Sequence, residues 1–275
     1  MSREPGPTRR RFAEVVRSTP VDLGLACLLV GGEVDRDLDV DACLATLDAL
    51  AASARSHLRP GCGPAEAAAG LAAGLSAYAG SEADYGDLRS SLLHEVVRRR
   101  RGLPLTLSVV WVEVARRLGV VAAPVALPGH VVVAVGASSP TYVDPFAGGR
   151  VLTVEAIAAR VRAGTRTLLR PEDLEPADPV DLLLRLLTNV RALTARQDRA
   201  LEAVRTRLWA VELSLLLPRH PVALRRERGE LLVRLGEHLR GADELEAYAT
   251  VVQGTDDTAA EQSRRGARQA RARLN

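Results

Sequence analysis

His130 and Asp144 are the residues of this chain whose types and spacing could do chemistry together. Each sits in a short β-branched run, His130–Val135 and Thr141–Phe146, and Gly136–Pro140 supplies a tight turn between the two. A hairpin centred on Ser138 places Val132 opposite Asp144 and His130 opposite Phe146. His130 and Asp144 are then diagonal neighbours on one face, with Cβ atoms roughly 7 Å apart or less. A carboxylate so placed can hold the imidazole in one tautomer and stabilise its charged form. The same spacing also suits two strand-end polar residues satisfied by the backbone. Spacing alone leaves both readings open.

A His–Asp pair is half of a nucleophilic site. Its natural third member is a thiol or hydroxyl at the start of a buried helix, where the dipole activates it. Pro104–Leu118 reads as such a helix, with Pro in the first turn and apolar residues around nearly the whole cylinder. It opens Pro104-Leu105-Thr106-Leu107-Ser108, without Cys. Thr106 and Ser108 are therefore the hydroxyl candidates. They stand roughly 200° apart around a helix, so at most one can face His130. Their ordinary alternative is back-bonding to a carbonyl one turn earlier. Cys62, in the turn Pro60-Gly61-Cys62-Gly63-Pro64, is remote from that helix and reads as exposed, whereas Cys27 and Cys43 read as small core residues.

Other elements must position these groups. Residues 1–10 read as a frayed lead-in, and 12–78 are helical, broken at Pro60–Pro64. A polar loop covers Gly80–Asp87, and Leu88–Arg100 forms another helix. After the central helix come strands at Val121–Leu127, His130–Val135, Thr141–Phe146 and Arg150–Val154, then a helix at Glu155–Ala163. Arg170–Pro179 reads as a linker. Helices follow at about 181–195, 198–216, 221–235 and 239–252. Paired helices with Pro after the second fit two degenerate tetratricopeptide-like units, with Asn189 and Gly229 at comparable places. The resulting expectation is an α+β, mostly helical fold. Residues 12–169 form one domain (core 96–169), 170–180 a linker, 181–254 the repeats, and 255–275 a polar Arg-rich tail.

Composition narrows the function classes. In 275 residues, all 37 basic side chains are Arg, and 34 acidic ones are interspersed to leave a net charge of +3, so no large single-sign field is implied. The run Arg98–Arg101 lacks interleaved aromatics and reads as a solvated helix end, not a nucleic-acid contact. Three Cys with no CxxC, and His57, His94, His220 and His238 on separate solvent-facing elements, argue for no metal site and a reducing cytoplasm. Arg9–Arg11 before Val21–Gly32 imitates a signal peptide, but Asp22 breaks the apolar run, and no run reaches the ~20 residues of a membrane span. Trp111 and Trp209 read as core anchors. Gly148-Gly149 is a turn, and no cofactor is expected.

The stretch Glu95–Gly119, the run Leu127-Pro128-Gly129-His130 and the run Val143–Arg150 resemble the transglutaminase-like domain of the bacterial SirB-one family. Leu184–Asn189 resembles that family's approach to its C-terminal repeats. The resemblance covers most of the chain. It implies a papain/transglutaminase-like core, a central helix packed on a small antiparallel sheet, with an all-helical N-terminal part and tetratricopeptide-like helix pairs. The wider superfamily uses Cys, His and Asp in that chain order. Carried over, the His falls on His130, the Asp on Asp144, and the Cys at or beside Pro104, which offers no nucleophile. Gly129 and Phe146 fall within the matched motifs, and Tyr85 falls in a Tyr-bearing segment that lines the groove.

Three functions follow as expectations. The first is a non-catalytic groove that binds a peptide or protein. The second is a hydrolase or acyltransferase using Thr106 or Ser108 with His130 and Asp144. The third is a repeat-type adaptor with a structural central domain. Nucleic acid and membrane are not expected partners.

Overall fold

The computed structural model describes residues 6–196 and 200–273. Residues 198–199 of the expected helix 198–216, the first five residues of the lead-in and the last two of the tail lie outside them. The chain divides into two compact units, one running Ser18–Leu182 and the other joining the N-terminal segment up to Arg17 to everything from Leu183.

The Ser18–Leu182 unit is built on one helix and one sheet. Helices α2 (Leu23–Gly31) and α3 (Val40–Ala54) start where Asp22 and Asp39 accept hydrogen bonds from the N–H of Leu25 and Ala42, both 2.9 Å. α4 (Pro64–Gly74) follows the Pro-Gly-Cys-Gly-Pro turn. α5 (Leu93–Arg99) ends on Arg100, which is left-handed at φ 59°. It starts later than the expected Leu88 because Asp87 accepts the Arg89 N–H and winds Leu88–Ser91 into a separate 3-10 turn. α6 (Pro104–Arg117) is buried nearly all round, with Leu107, Val110, Trp111 and Val114 fully enclosed.

Strands β1 (Ala122–Val125), β2 (Val132–Val135), β3 (Thr141–Asp144) and β4 (Arg150–Leu152) form an antiparallel meander in the order β1-β2-β3-β4. Val133 pairs with Val143 and Val135 with Thr141, the register of a hairpin centred on Ser138. The even-numbered residues Val132 and Ala134 pack with Ile157 and Val161 of α7 (Val154–Thr165). By the alternation of a strand the odd-numbered ones face the other way, toward α6 and α4, which both contact β2. The fold is thus α+β and mostly helical.

The segment Arg170–Pro179 is not a free linker. Val125 forms a bridge with Pro176, and the Ala177 N–H bonds to the Pro124 carbonyl at 2.8 Å. This stretch covers the outer edge of β1, whose backbone groups would otherwise be an unpaired sheet edge.

The second unit comprises α1 (Pro7–Val15), α8 (Pro179–Ala195, from Leu183 onward), α9 (Leu201–Ser214), α10 (Ala223–Arg234), α11 (His238–Val252) and α12 (Asp257–Ala272). The tail is therefore largely a helix, capped by Asp256 on the Ala259 N–H. α10 and α11 cross where glycines face each other: a Cβ on Gly229 would lie 3.0 Å from the Gly241 carbonyl oxygen. Asn189 is half-buried whereas Gly229 is buried, so the two equated positions differ in burial. α1 departs from expectation most. It joins these helices instead of the central domain, and Arg9 reaches Glu212 at 2.5 Å. Arginine in this unit works in ion pairs, with Glu212 and Glu244 sharing Arg228, and Glu227 sharing Arg191 and Arg207.

Candidate active-site groove

The turn Leu127–His130 sets the histidine. Gly129 takes φ +76°, which an L side chain resists, and lets the His130 N–H return to the Leu127 carbonyl at 3.2 Å. His130 lies just before β2, on the same parity as Val132, and is only 5% exposed. Its Nε2 stands 3.0 Å from Asp144 Oδ1, so the diagonal pair forms a direct hydrogen bond.

Asp144 is fully buried. Its Oδ1 also accepts the backbone N–H of Phe146 at 3.0 Å and of Ala147 at 3.3 Å. Oδ2 lies 3.1 Å from Arg160 Nη2 on α7, an ion pair without the alignment of a hydrogen bond. Burial alone would raise its pKa. The hydrogen bond and charge of His130, the Arg160 charge and the Ala147 N–H together hold it below the usual carboxylate range. An ionised carboxylate only accepts, so Nε2 of His130 carries the proton in this bond.

Phe146 ties the pair to the start of α6. Its ring stands edge-on to His130, centroids 6.1 Å apart and planes at 87°. It fills the space over Gly80, where a Cβ would come within 2.1 Å of the ring and 2.7 Å of the Gly102 carbonyl oxygen. Tyr85 lies against the same ring at 5.7 Å and is 48% exposed, so it is the solvent-facing member of this aromatic pair.

The loop that carries Tyr85 is locked from beneath. Asp84 is 2% exposed and accepts from the Ser81 N–H (2.7 Å), the Ser81 hydroxyl (2.9 Å), the Ser90 hydroxyl (3.2 Å) and Arg101 (3.1 Å). Burial opposes the charge of Asp84, yet these bonds leave its pKa lowered. The run Arg98–Arg101 is explained at the same place: Arg98 pairs with Glu95, Arg99 with Asp87 and Arg101 with Asp84.

Thr106 and Ser108 take no part in the His–Asp pair. Thr106 Oγ1 donates to the carbonyls of Ser90 (2.8 Å) and Leu103 (3.1 Å), and Ser108 Oγ donates to Pro104 O at 2.8 Å. A hydroxyl has one proton, and both are directed to carbonyls. Neither hydroxyl hydrogen-bonds to His130. Pro104 is buried at the first helical position. None of the three cysteines replaces the missing nucleophile: Cys27 is buried with its thiol pKa pushed up by burial, while Cys43 and Cys62 are half-buried, neither core nor fully exposed. Among the described residues no three His, Cys, Asp or Glu side chains come together as a metal group. His94 and His238 are half-buried instead of solvent-facing, and burial lowers the His94 pKa. No helix is long and apolar enough to cross a membrane.

The central helix, the sheet that follows it and the His130–Asp144 pair all fall within the stretch that a family model matches. Residues 41–188 match the model described as the transglutaminase-like superfamily. The chain belongs to that superfamily. It is similar to a UPF0162 protein of Xylella fastidiosa, 35% identical over 185 residues, covering 65% of this chain and 64% of the relative. A UPF0162 protein of Pseudomonas aeruginosa is 33% identical over 126 residues, covering 46% of each chain. The F-box only protein 21 of Mus musculus is 34% identical over 87 residues, covering 28% of this chain and 14% of that one. The chain thus spans a little under two thirds of the length of its Xylella relative.

Sequence reasoning missed Arg160, Gly80, and the lock that Asp84 makes with Ser90 and Arg101. A glycine at 80 just before an acidic loop was a readable signal. Nothing in the sequence singles out Arg160 among 37 basic residues.

Proposed function

We propose that this transglutaminase-like protein is non-catalytic and uses its groove to bind an extended peptide or a protein segment. One observation carries the reading: alongside a complete His130–Asp144 pair, the first two turns of α6 offer Pro104 and two hydroxyls turned to carbonyls. The pair then orders the groove instead of driving acyl transfer. Asp144 fixes His130, His130 and Gly80 seat Phe146, and Phe146 supports the exposed ring of Tyr85. An aromatic wall over a buried polar pair suits a side chain that is apolar with a hydrogen-bonding end. In this reading the chain is of the SirB-one type, acts in the bacterial cytoplasm, and the helix pairs from α8 to α11 are tetratricopeptide-like units offering a second surface.

The test is panning of a random-peptide display library against the full chain, with affinities of selected peptides read by fluorescence polarisation. Tyr85→Ala and Phe146→Leu each weaken binding about tenfold, the range expected of an interface aromatic. His130→Gln weakens it less. Affinities unchanged in both aromatic variants overturn the groove reading. In parallel, hydrolysis of 4-nitrophenyl acetate is equal for the wild type and His130→Gln. Turnover that falls in both His130→Gln and Ser108→Ala, or in both His130→Gln and Thr106→Val, would instead establish a hydrolase.

A further inference from the structure

At the end of β2 opposite His130, the same unit holds a recess of about 500 Å³. Its walls come from the α3–α4 turn, the start of α4, the end of α6 and the turn after β2. Leu58, Ala67 and Val135 are among its apolar walls, Cys62 lies in its lining, and Arg55 and Arg59 stand at its rim. The volume falls in the range of small-molecule sites, and mostly apolar walls with a few convergent polar groups are their usual make-up.

Two exposed arginines give the recess a sign. Arg55 and Arg59 have no carboxylate partner among the described residues, whereas Arg99, Arg101 and Arg117 of this unit are each held by one. At the start of α4 the lining holds Pro64, which has no N–H, and Ala67, whose N–H bonds to the Gly63 carbonyl at 2.9 Å, so the helix supplies wall and no free donor. The recess has a defined floor: Pro64 packs against Gly136, where a Cβ would come within 2.6 Å of the proline ring.

We propose that this recess is a second ligand site, separate from the His130 groove, which takes a small organic anion with a hydrocarbon body. The body lies on Leu58, Ala67 and Val135, and the anionic head meets Arg55 and Arg59. No bond is made or broken. Occupancy covers Cys62, which makes that thiol a reporter and not a participant.

The experiment measures alkylation of Cys62 by iodoacetamide, a neutral reagent, in a full-length Cys43→Ser background, using sodium octanoate and 1-octanol as probes. Octanoate slows the reaction saturably, and octanol needs about tenfold higher concentration for equal protection, the value of one charge-assisted contact. The double variant Arg55→Gln/Arg59→Gln, at exposed positions that leave the fold intact by circular dichroism, raises the half-effective octanoate concentration about tenfold. Equal protection by octanol, or an unchanged response in the double variant, overturns anion recognition. Absence of protection by octanoate below its micellar range overturns the site itself.

Discussion

Replacing Asp144 by alanine separates the structural work of this carboxylate from any chemistry. In the folded chain it accepts from His130 Nε2 (3.0 Å), Phe146 N (3.0 Å) and Ala147 N (3.3 Å), and its other oxygen faces Arg160 at 3.1 Å. The Ala147 N–H also bonds to the backbone carbonyl of residue 144 at 3.1 Å, an acceptor that the substitution leaves in place. His130 is buried and Phe146 half-buried, so the penalty falls mainly on their donors. Leaving those groups unpaired costs about 3–5 kcal/mol. Asp144→Asn keeps a carbonyl for the same donors and loses only the charge, so it costs about 1–2 kcal/mol.

The pH dependence follows from the lowered pKa of Asp144. A carboxylate with a depressed folded pKa binds fewer protons in the native than in the unfolded state. Its contribution is therefore full above the unfolded value of about 4 and disappears as pH falls through the folded one. Wild type and Asp144→Asn should converge in stability below about pH 4. Urea unfolding followed by Trp111 fluorescence in a Trp209→Phe background reads the Ser18–Leu182 unit alone, because Trp209 belongs to the other one. An Asp144→Ala variant within about 1 kcal/mol of wild type, or an Asp144→Asn variant as unstable as Asp144→Ala, would refute this account of the site.

Thr106→Val removes the Oγ1 bond to Ser90 O, which keeps the Leu103 N–H as a second partner; the cost should be about 1 kcal/mol, with faster amide hydrogen exchange confined to residues 80–92. Gly149→Ala forces an L residue into φ +83° with its Cβ 2.7 Å from Trp111 Cζ2, and should cost about 2–4 kcal/mol with a shift in Trp111 emission. Asp84→Asn weakens the lock under Tyr85, so protease cleavage in the Glu82–Gly86 turn should rise while the α5–α6 amides remain protected. Pro104→Cys, in a Cys43→Ser/Cys62→Ser background, should be alkylated at pH 6 about tenfold faster than in the same protein carrying His130→Gln. Equal rates would place residue 104 out of reach of the imidazole.

The hairpin was readable because its turn is short and its strands are β-branched. Those two facts fix the register, and with it the shared face of His130 and Asp144. The central helix was equally plain, since a cylinder apolar on nearly every side must be buried. What stayed hidden depends on which surface covers which. Phe12 is fully buried, whereas the sequence reads residues 1–10 as a frayed lead-in and 12 onward as central domain, and does not show a partner among the C-terminal helices. Arg170–Pro179 has linker composition, yet Pro176 and Ala177 meet the edge of β1. Hydroxyl direction was also beyond the sequence, although back-bonding is the common fate of Thr and Ser inside a helix, and Ser108 follows it.

The joining of α1 to the C-terminal helices sets an order of assembly. The Ser18–Leu182 unit is contiguous in the chain, so on the ribosome it can fold as soon as it has emerged. α1 is made before that unit and must wait through the synthesis of the whole of it before α9 and its Glu212 exist to receive Arg9. During the wait Phe12 is an exposed aromatic on a nascent chain, a segment suited to transient chaperone contact. Once the C-terminal helices close around α1, Phe12 is buried and that exposure ends.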